Sequence, residues 1–489
     1  MSFTRQELLK SPLLRTQLHY GGQWRDGSEG TTKAVTDPAT GEEIVQVAVA
    51  TADDVVAAIE AAHVAFTTWS KTPAPERSRI LRRWFDLVVE NADELAEILT
   101  WEQGKPLAEA KAEVLYGAGF IEWFAEEGKR LYGEVIPTNK PDRRMYTTRN
   151  AVGVTAAITP WNFPAAMILR KASPALAAGC TMVIKPASET PLSAFALVAL
   201  AEQAGIPSGV LSVVNGSGAT IGAVLTSHEL VRTISFTGST EVGRTLMAQS
   251  ASTIKRLALE LGGNAPLIVF DDADIETAVR GTIDSKFRNA GQTCVCANRI
   301  LVQEGIHDEF VAALSIAVAK LKLGDGRDPE TTQGPLISKA AVEKVQAHID
   351  DAVSKGATVL NGGGVSDLGG TFFQPTLLVG VTTDMDVATE ETFGPLAPVF
   401  KFSTEEEAIA MANDTEFGLA AYFFSRDYGR VTRVSEGIEA GVVGVNTGLI
   451  SYEGAPFGGV KQSGIGREGS LHGIEEYTEL KYVCVEGVL

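Results

Sequence analysis

The sequence predicts an α/β protein built around a doubly wound sheet, with a second α/β domain and a β arm. Three observations lead to this class. The chain has 489 residues, more than one hydrophobic core usually holds. Its composition, 45% hydrophobic and 21% charged, is that of an ordinary globular protein. Short apolar runs alternate with helical segments from about residue 152 onwards, which favours parallel strands covered by helices on both faces.

The first 150 residues are expected to form short strands, then long helices, then an extended excursion. Residues 20–50 are rich in turn-forming residues. A helix is predicted to begin near Thr51, where Asp53 and Asp54 supply negative charge to its first turn. Residues 75–130 continue as amphipathic helices, and we expect their Arg, Glu and Lys side chains to face solvent.

The middle of the chain reads as successive βα units. Strands are predicted at residues 152–158, 182–185, 210–214 and 233–236, and helices at residues 165–176 and 191–204. The second half repeats the alternation, with strands near 267–270 and 299–303 and helices near 274–287, 307–320 and 337–355. Ligands of such sheets bind beyond the carboxyl ends of the strands, so we look for the site in the loops that follow them.

Two segments late in the chain are expected to be irregular or exposed. Residues 458–467 are glycine-rich and are predicted to form a loop. Residues 479–485 look like a strand, and a strand at a terminus is an exposed edge unless another element pairs with it.

Charge and cysteine content narrow the class of protein. The chain carries 42 Lys and Arg against 61 Asp and Glu, a net charge of −19, without a basic cluster, so nucleic acid is not an expected partner. No stretch approaches the roughly 20 apolar residues of a membrane helix, and no signal peptide is apparent. Four cysteines without a disulfide-like pattern favour a reducing compartment, and we expect a cytoplasmic protein.

Residues 288–296 form the segment richest in candidate catalytic side chains, with Cys294 and Cys296 two residues apart. Only one of the two thiols is expected to face a given pocket. A thiol becomes a useful nucleophile where a base, a cation or a helix N-terminus favours its thiolate. The alternative is a small buried hydrophobe. A metal site is not expected, because zinc needs about four ligands and the remaining cysteines, Cys180 and Cys484, are isolated in the sequence.

Two short segments offer groups for a phosphate or a ribose. Residues 236–243 follow a predicted strand and open a helix, and Gly238, Ser239 and Gly243 lie there. Backbone N–H groups at such a point hold phosphates, although the G-x-G-x-x-G fingerprint is absent and an ordinary helix start is the alternative. Lys185 and Ser188 follow another strand and supply donors suited to ribose hydroxyls or a phosphate.

A carboxylate and an amide complete the candidate chemistry. Glu260 stands beside two glycines, which allow close backbone approach, so it can be held near a reaction centre. An isolated glutamate is more often a surface residue. Asn162, in a proline-bounded loop, could donate its amide N–H to a developing oxyanion, a role that also suits the N–H of a catalytic cysteine.

Five motifs taken together resemble those of the NAD(P)-dependent aldehyde dehydrogenase superfamily, in the same order and from about residue 20 to the C-terminus. They lie at residues 160–164, 236–240, 260–263, 291–294 and 391–395. The resemblance implies an aldehyde dehydrogenase-like fold and a mechanism in which Cys294 attacks the aldehyde. Asn162 and the Cys294 amide would stabilise the oxyanion, and Glu260 would activate the hydrolytic water.

The resemblance also implies where the cofactor binds. Glu391 would hold the nicotinamide ribose, with Phe393 packing nearby. The complete implied set is Thr159, Pro160, Trp161, Lys185, Ser188, Gly218, Gly238, Ser239, Gly243, Leu261, Glu391 and Phe393.

Within the superfamily, residues 286–296 and 456–477 resemble succinate-semialdehyde dehydrogenases. A substrate with a distal carboxylate suits arginine, whose planar fork binds carboxylates bidentately. Arg170 and Arg288 match that family's carboxylate-binding positions, and Ser451 would be a third contact; surface ion pairing is the alternative for both arginines. Succinate semialdehyde is therefore the expected substrate, with glutarate semialdehyde or another ω-carboxy aldehyde as the alternative.

Two further expectations follow from the resemblance. Relatives that prefer NAD often have an acidic residue at the position of Ser188, so we expect NADP to be accepted and preferred here, with NAD possible. In this branch a neighbouring cysteine can form a reversible disulfide with the nucleophile, which would make Cys296 a redox switch. A small pocket-lining residue is the alternative for Cys296.

We therefore expect a dinucleotide-binding domain formed by residues 1–131 and 151–262, a catalytic domain formed by residues 263–466, and an arm formed by residues 132–150 and 467–489. The arm would build a homodimer or homotetramer. A cysteine-dependent acyl hydrolase would use the same thiol without hydride transfer, and a catalytically silent relative is a third alternative. The cofactor motifs argue against the hydrolase, and the intact Cys294, Glu260 and Asn162 argue against the silent relative.

Overall fold

The computed structural model describes residues 3–487 and confirms the α/β class. Two large sheets and a smaller one organise the chain. Residues 1–2 and 488–489, at the outer ends of the predicted first domain and of the predicted arm, lie outside the described residues.

The first large sheet has parallel strands in its centre and antiparallel strands at both edges. The order of its strands is Gly464–Ile465, Arg256–Glu260, Val231–Thr237, Val154–Ile158, Thr181–Lys185, Leu211–Val213, Leu18–Tyr20 and Gln23–Arg25.

Helices cover both faces of this sheet because successive strand residues point to opposite sides. Met182 and Ile184 pack into one core, and Val183 between them packs into the other. The larger core is formed with helices Ala74–Glu90, Ala92–Gln103, Leu107–Glu127, Ala166–Ala178 and Leu192–Gln203. Helices Ala52–Trp69, Gly218–Ser227 and Thr240–Ser250 lie on the other face.

The second large sheet is parallel except at one edge. Its strands follow the order Thr358–Asn361, Thr376–Val379, Leu396–Phe402, Ala297–Gln303, Ala265–Val269, Ala420–Phe424 and Val442–Val445. Helices Ile275–Lys286 and His307–Val318 cover one face. Helices Lys339–Ser354, Asp386–Thr389, Glu405–Asn413 and Tyr428–Gly437 cover the other.

A three-stranded antiparallel sheet joins two distant parts of the chain. The strand Arg143–Ala151 pairs on one side with Val135–Ile136 and on the other with Thr478–Glu486. The predicted terminal strand is thus paired along one side only within residues 3–487. A separate hairpin is formed by Thr32–Thr36 and Glu43–Ala48.

The predicted loop at residues 458–467 is only partly irregular. It contains the short helix Lys461–Ser463 and the strand Gly464–Ile465, which pairs with the end of Arg256–Glu260. Gly464 has a φ of +143°, and a Cβ there would lie 2.0 Å from the Leu259 carbonyl oxygen, so the approach requires glycine. This strand lies in the predicted catalytic segment yet extends the first sheet.

The expectation of solvent-facing charges in residues 75–130 is wrong at several positions. Glu102, Lys105 and Glu113 are all buried. The Lys105 ammonium lies 2.5 Å from the Glu113 carboxylate, so each charge has its partner inside the protein. Gly104, in a left-handed conformation, ends the preceding helix and turns Lys105 into the interior.

Among residues 3–487, no helix combines the length and apolar character needed to cross a membrane.

Candidate active site

The loop before Cys294 has an unusual backbone. It leaves helix Ile275–Lys286 through the short turn Arg288–Gly291, in which Asn289 and Ala290 adopt φ values of 51° and 54°. Gly291 follows with a φ of 73°, and a Cβ there would lie 2.1 Å from the Gly394 carbonyl oxygen. Because only glycine fits this approach, the loop lies directly against the segment that follows Glu391.

Cys294 lies in the wall between two cavities. The first, of about 200 Å³, is lined by Pro160, Trp161, Asn162, Thr237, Gly238, Ser239, Leu261, Gly262, Cys294, Glu391 and Phe393. The second, of about 250 Å³, is lined by Lys105, Glu109, Ala112, Glu113, Tyr116, Phe163, Arg170, Arg288, Thr293, Cys294, Val295, Leu449, Ser451 and Phe457. The same residue therefore borders both cavities.

The two neighbouring thiols have different surroundings. Cys294 is part-exposed to the cavities, and burial raises the pKa of its thiol to about 12, although the nearby Arg170 lowers it. Cys296 is fully buried, lines neither cavity, and its Sγ donates to the Lys286 carbonyl at 3.4 Å. All four cysteines are unpaired thiols. In this state the thiol of Cys294 is protonated at neutral pH and needs a proton acceptor before it can attack.

Asn162 lines the first cavity beside Cys294. Its side-chain Nδ2 donates to the Gln292 carbonyl at 2.9 Å, which ties it to the loop that carries Cys294. Its own carbonyl accepts from Lys105 Nζ at 2.7 Å and from Asn289 Nδ2 at 2.9 Å. The amide has a second N–H, so one donor is already oriented by the loop and another is available to a ligand.

Glu260 ends the strand Arg256–Glu260 and is buried, but its side chain lines neither cavity. Its Oε2 has no hydrogen-bond partner within residues 3–487. Burial, reinforced by the negative charge of Glu468, raises its pKa well above the usual range. Glu468 itself pairs with Arg170, at 2.7 Å, and with Lys171. An unpaired buried carboxyl with a raised pKa is typical of a functional group rather than a structural one.

Seven of the predicted cofactor residues line the first cavity: Pro160, Trp161, Gly238, Ser239, Leu261, Glu391 and Phe393. Glu391 Oε1 accepts from the Gly263 N–H at 3.0 Å, and burial raises the pKa of this carboxyl to about 7. Phe393 has a left-handed φ of 55° and meets Trp161 edge-to-face at 5.5 Å. A bulky residue rarely adopts that backbone, and such strain often marks a ligand site.

The remaining predicted cofactor residues do not line that cavity. Lys185 ends the strand Thr181–Lys185, and burial lowers the pKa of its ammonium. Ser188 donates its hydroxyl to the Gly216 carbonyl, and Gly218 begins the neighbouring helix, where a Cβ would lie 4.0 Å from Lys185 Nζ. The Thr159 N–H donates to the Lys185 carbonyl at 3.1 Å. These residues form a second group at the carboxyl ends of adjacent parallel strands.

Gly243 does not line the first cavity but contributes to its packing. A Cβ at this position would lie 2.6 Å from the Leu261 side chain. The absence of a side chain therefore lets the helix Thr240–Ser250 approach Leu261, which lines the first cavity.

The three predicted substrate-binding residues, Arg170, Arg288 and Ser451, all line the second cavity. The Arg170 guanidinium lies 3.8 Å from the centre of the Phe457 ring, in addition to its pairing with Glu468. Arg288 lies 5.5 Å from the Phe163 ring. Its positive charge acts on the Glu109 carboxyl, which lines the same cavity, and partly offsets the rise that burial gives the pKa of that carboxyl.

Sequence reasoning missed the contribution of the helices before the first sheet. Lys105, Glu109 and Tyr116 line the second cavity. Burial raises the pKa of the Tyr116 phenol, whose hydroxyl is close to Arg170 and to the Ser451 hydroxyl. The only local signal was the Gly104–Lys105–Pro106 helix break, because the amphipathic pattern on either side is that of a surface helix. Among residues 3–487, no three metal-ligating side chains are grouped together.

Comparisons with known proteins agree with this geometry. A model described as the aldehyde dehydrogenase family matches residues 24–483. The glutarate-semialdehyde dehydrogenase of Pseudomonas putida is 61% identical over 479 residues, spanning 98% of this chain and 99% of the relative. The NADP(+) succinate-semialdehyde dehydrogenase of Escherichia coli is 59% identical over 479 residues, spanning 98% and 99%. The crystal structure of succinate-semialdehyde dehydrogenase from Burkholderia pseudomallei has a TM-score of 0.97 at 60% identity, covering 98% of this chain and 99% of that one. The resemblance drawn from five motifs is confirmed, and the chain belongs to the aldehyde dehydrogenase family.

Proposed function

We propose that this enzyme oxidises succinate semialdehyde to succinate with reduction of NADP⁺, through covalent intermediates on Cys294. The observation that carries the proposal is the position of Cys294 between two cavities. One cavity is lined by residues suited to a nicotinamide cofactor, and the other presents Arg170, Arg288 and Ser451 to a substrate carboxylate. An aldehyde held in the second cavity would present its carbonyl carbon to the sulfur from one side only.

The first step is attack by the Cys294 thiolate on the aldehyde carbon, which gives a thiohemiacetal. The developing oxyanion would accept hydrogen bonds from Asn162 Nδ2 and from the Cys294 backbone N–H. Because the resting thiol has a pKa near 12, its proton must pass to a base as the bond forms. Glu260, in its ionised form, would be that base, since its charge acts on the Cys294 thiol.

When bound, the cofactor supplies the hydride acceptor that converts the thiohemiacetal to a thioester. Glu260 would release the first proton to solvent and then accept a proton from the water that attacks the thioester carbonyl; the C–S bond breaks, and succinate leaves with the Cys294 thiolate regenerated. Because burial and the charge of Glu468 raise its pKa, this carboxylate is a stronger base than an ordinary glutamate, which suits it to accept a proton from water.

The residues of the first cavity fit a dinucleotide. A Cβ at Gly238 would lie 2.4 Å from the Phe236 ring, so the backbone is left bare beside the cavity, as phosphate binding requires. Glu391 offers a carboxylate for ribose hydroxyls. Lys185 and Ser188 belong to the second group, and serine at position 188 supports NADP over NAD, because an acidic residue at that position would repel a 2′-phosphate. The carboxylate of the adjacent Glu189 acts on Lys185.

Glutarate semialdehyde is the second candidate substrate. The relative from Pseudomonas putida named for it is 61% identical to this chain, slightly more than the Escherichia coli succinate-semialdehyde enzyme at 59%. Both substrates carry a distal carboxylate, so the same arginines would bind either. The guanidinium of Arg288, which lines the second cavity, supports an ω-carboxy aldehyde in both cases.

We further propose a cytoplasmic homodimer or homotetramer, with the domain division given by the sequence. The strand Thr478–Glu486 has one unpaired edge within residues 3–487, with Leu480 and Tyr482 exposed on it. An exposed apolar edge of this kind is suited to a second copy of the chain. The unpaired state of Cys294 and Cys296 supports a reducing compartment and leaves a reversible disulfide between them as a redox switch.

The test is a panel of aldehydes with and without a terminal carboxylate, followed by NADPH or NADH absorbance. We expect kcat/KM for succinate semialdehyde to exceed that for propanal by at least about a hundredfold, because only succinate semialdehyde has a carboxylate that can form charge-assisted hydrogen bonds with the arginines. Equal efficiencies would exclude the carboxylate-binding role of Arg170 and Arg288. NAD outperforming NADP by about tenfold would reverse the cofactor assignment. Glutarate semialdehyde outperforming succinate semialdehyde would make it the substrate.

A further inference from the structure

We propose that Asn289 is a positioning residue that holds the oxyanion donor Asn162 in register with the Cys294 loop. This inference rests on the proposed function, because it gives Asn162 and Cys294 the roles described there. Asn289 lines neither cavity and touches no reacting atom, so any effect it has on the reaction must pass through its neighbours.

The backbone of the turn makes asparagine the suitable residue. Asn289 has a left-handed φ of 51°, and Ala290 follows at 54°. Two consecutive non-glycine residues in this region are conformationally strained. Asparagine tolerates the conformation better than most residues. The surrounding hydrogen bonds must therefore hold the turn in place.

Every hydrogen-bonding group of the Asn289 amide is engaged in the protein interior, where the residue is only 2% exposed. Its Oδ1 accepts from Gln103 Nε2 at 3.1 Å. Its Nδ2 donates to the Asn162 carbonyl at 2.9 Å and to the Gln292 carbonyl at 3.2 Å. One amide thus joins the end of helix Ala92–Gln103, the loop that carries Asn162 and the loop that carries Cys294.

The same Gln292 carbonyl also accepts from Asn162 Nδ2 at 2.9 Å. Asn162 is therefore tied to the catalytic loop twice, through its own side chain and through the Asn289 amide that holds its carbonyl. This closed ring fixes the distance between the oxyanion donor and the sulfur two residues after Gln292. A displacement of about 1 Å between such groups lowers rates by about a hundredfold.

The backbone N–H of Asn289 is hydrogen-bonded to a residue that lines the second cavity. It donates to Glu109 Oε2 at 2.9 Å, and Glu109 lines the second cavity. The turn is consequently clamped by helix Leu107–Glu127 as well as by Gln103. These contacts hold the left-handed turn in one conformation on the way to Cys294.

The test compares Asn289→Gly with Asn446→Gly. Asn446 is also left-handed, at φ 55°, and its amide bonds Ser425 in both directions at 3.0 Å, but it lines neither cavity. Glycine keeps the backbone and removes the amide in each case. Each variant would be measured by single-turnover aldehyde oxidation per titrated Cys294 thiol, and by acylation with p-nitrophenyl acetate without cofactor.

We expect Asn289→Gly to slow both reactions by about a hundredfold per titrated thiol, with KM for the aldehyde changed far less than kcat. Asn446→Gly should lose thermal stability but keep both rates. Gln103→Ala, which removes one of the three bonds to the amide, should slow both reactions by about tenfold and serves if Asn289→Gly does not fold.

Native rates per titrated thiol in Asn289→Gly, or in Gln103→Ala, would overturn the inference. A comparable loss of rate in Asn446→Gly would also overturn it, because the effect would then be general destabilisation. Failure of the proposed function is separately visible, since the wild-type enzyme itself would then give no burst of NADPH from succinate semialdehyde.

Discussion

Replacing Arg288 with glutamine gives the sharpest measure of substrate recognition. The substitution keeps two N–H donors but shortens the side chain and removes the guanidinium charge of Arg288, which lines the second cavity. A hydrogen bond to a charged group contributes about 1.5–3 kcal/mol, which corresponds to roughly a 10-fold to 150-fold change in affinity.

The expected result is a KM for succinate semialdehyde raised by that factor, with kcat little changed, because the distal carboxylate is bound equally in the ground state and the transition state. Propanal, which has no carboxylate, should show the same kinetics in both enzymes. The matched control is Arg433→Gln, which removes an exposed arginine paired with Glu405 far from both cavities. Steady-state kinetics on the two aldehydes are sufficient.

Two results would refute the reasoning. If Arg288→Gln loses activity equally on propanal and on succinate semialdehyde, the arginine acts on the loop and not on the carboxylate. If neither substrate is affected, Arg288 does not contact the substrate at all.

Three further predictions concern the cofactor, the second thiol and the cavity wall. The pKa of Glu391 is about 7, and only the ionised form accepts two hydrogen bonds from a ribose, so the dissociation constant of NADP should rise as pH falls below about 7. Glu391→Gln should bind weakly without that pH dependence, and a wild-type constant independent of pH would contradict the assignment. Cys296→Ala should stay active and lose the peroxide inactivation that dithiothreitol reverses; unchanged reversible inactivation would remove Cys296 from the explanation. Tyr116→Phe deletes one hydroxyl beside Ser451 and should raise KM for the semialdehyde by about tenfold while leaving propanal kinetics intact, and an equal effect on both aldehydes would indicate a packing role instead.

The sequence was most informative where a residue's function depends on its local segment. Cys294, Asn162 and Glu391 lie in short motifs, and the βα alternation predicts a strand end for the Asn162 motif, which follows strand Val154–Ile158. Strand periodicity also identified the centre of the first sheet. What the alternation could not show was the pairing of the strands, because register and order depend on contacts between distant residues.

The interior charges were missed for a related reason. Lys105 and Glu113 lie on segments whose pattern is that of a surface helix, and only the packing of those helices against the sheet reveals them as a buried pair. Asn289 gave no signal either. Its importance comes from an unfavourable φ and from bonds to residues 103 and 162, neither of which local sequence encodes.

The pairing of Glu468 with Arg170 and Lys171 makes the interior of the first domain depend on the C-terminal segment of the chain. Those two cations sit on a helix of the first sheet, while their counter-ion arrives from the final two dozen residues, just before the strand that reaches across to Arg143–Ala151. Truncation of the polypeptide after Ser463 would leave two positive charges in the interior without their carboxylate. Removing one partner of a buried ion pair lowers the free energy of unfolding by about 3–5 kcal/mol. The C-terminal segment therefore supplies the negative charge that neutralises Arg170 and Lys171 in the protein interior. Truncated forms that lack it should fail to form an active site, even though the motifs of Cys294 and Glu391 are intact.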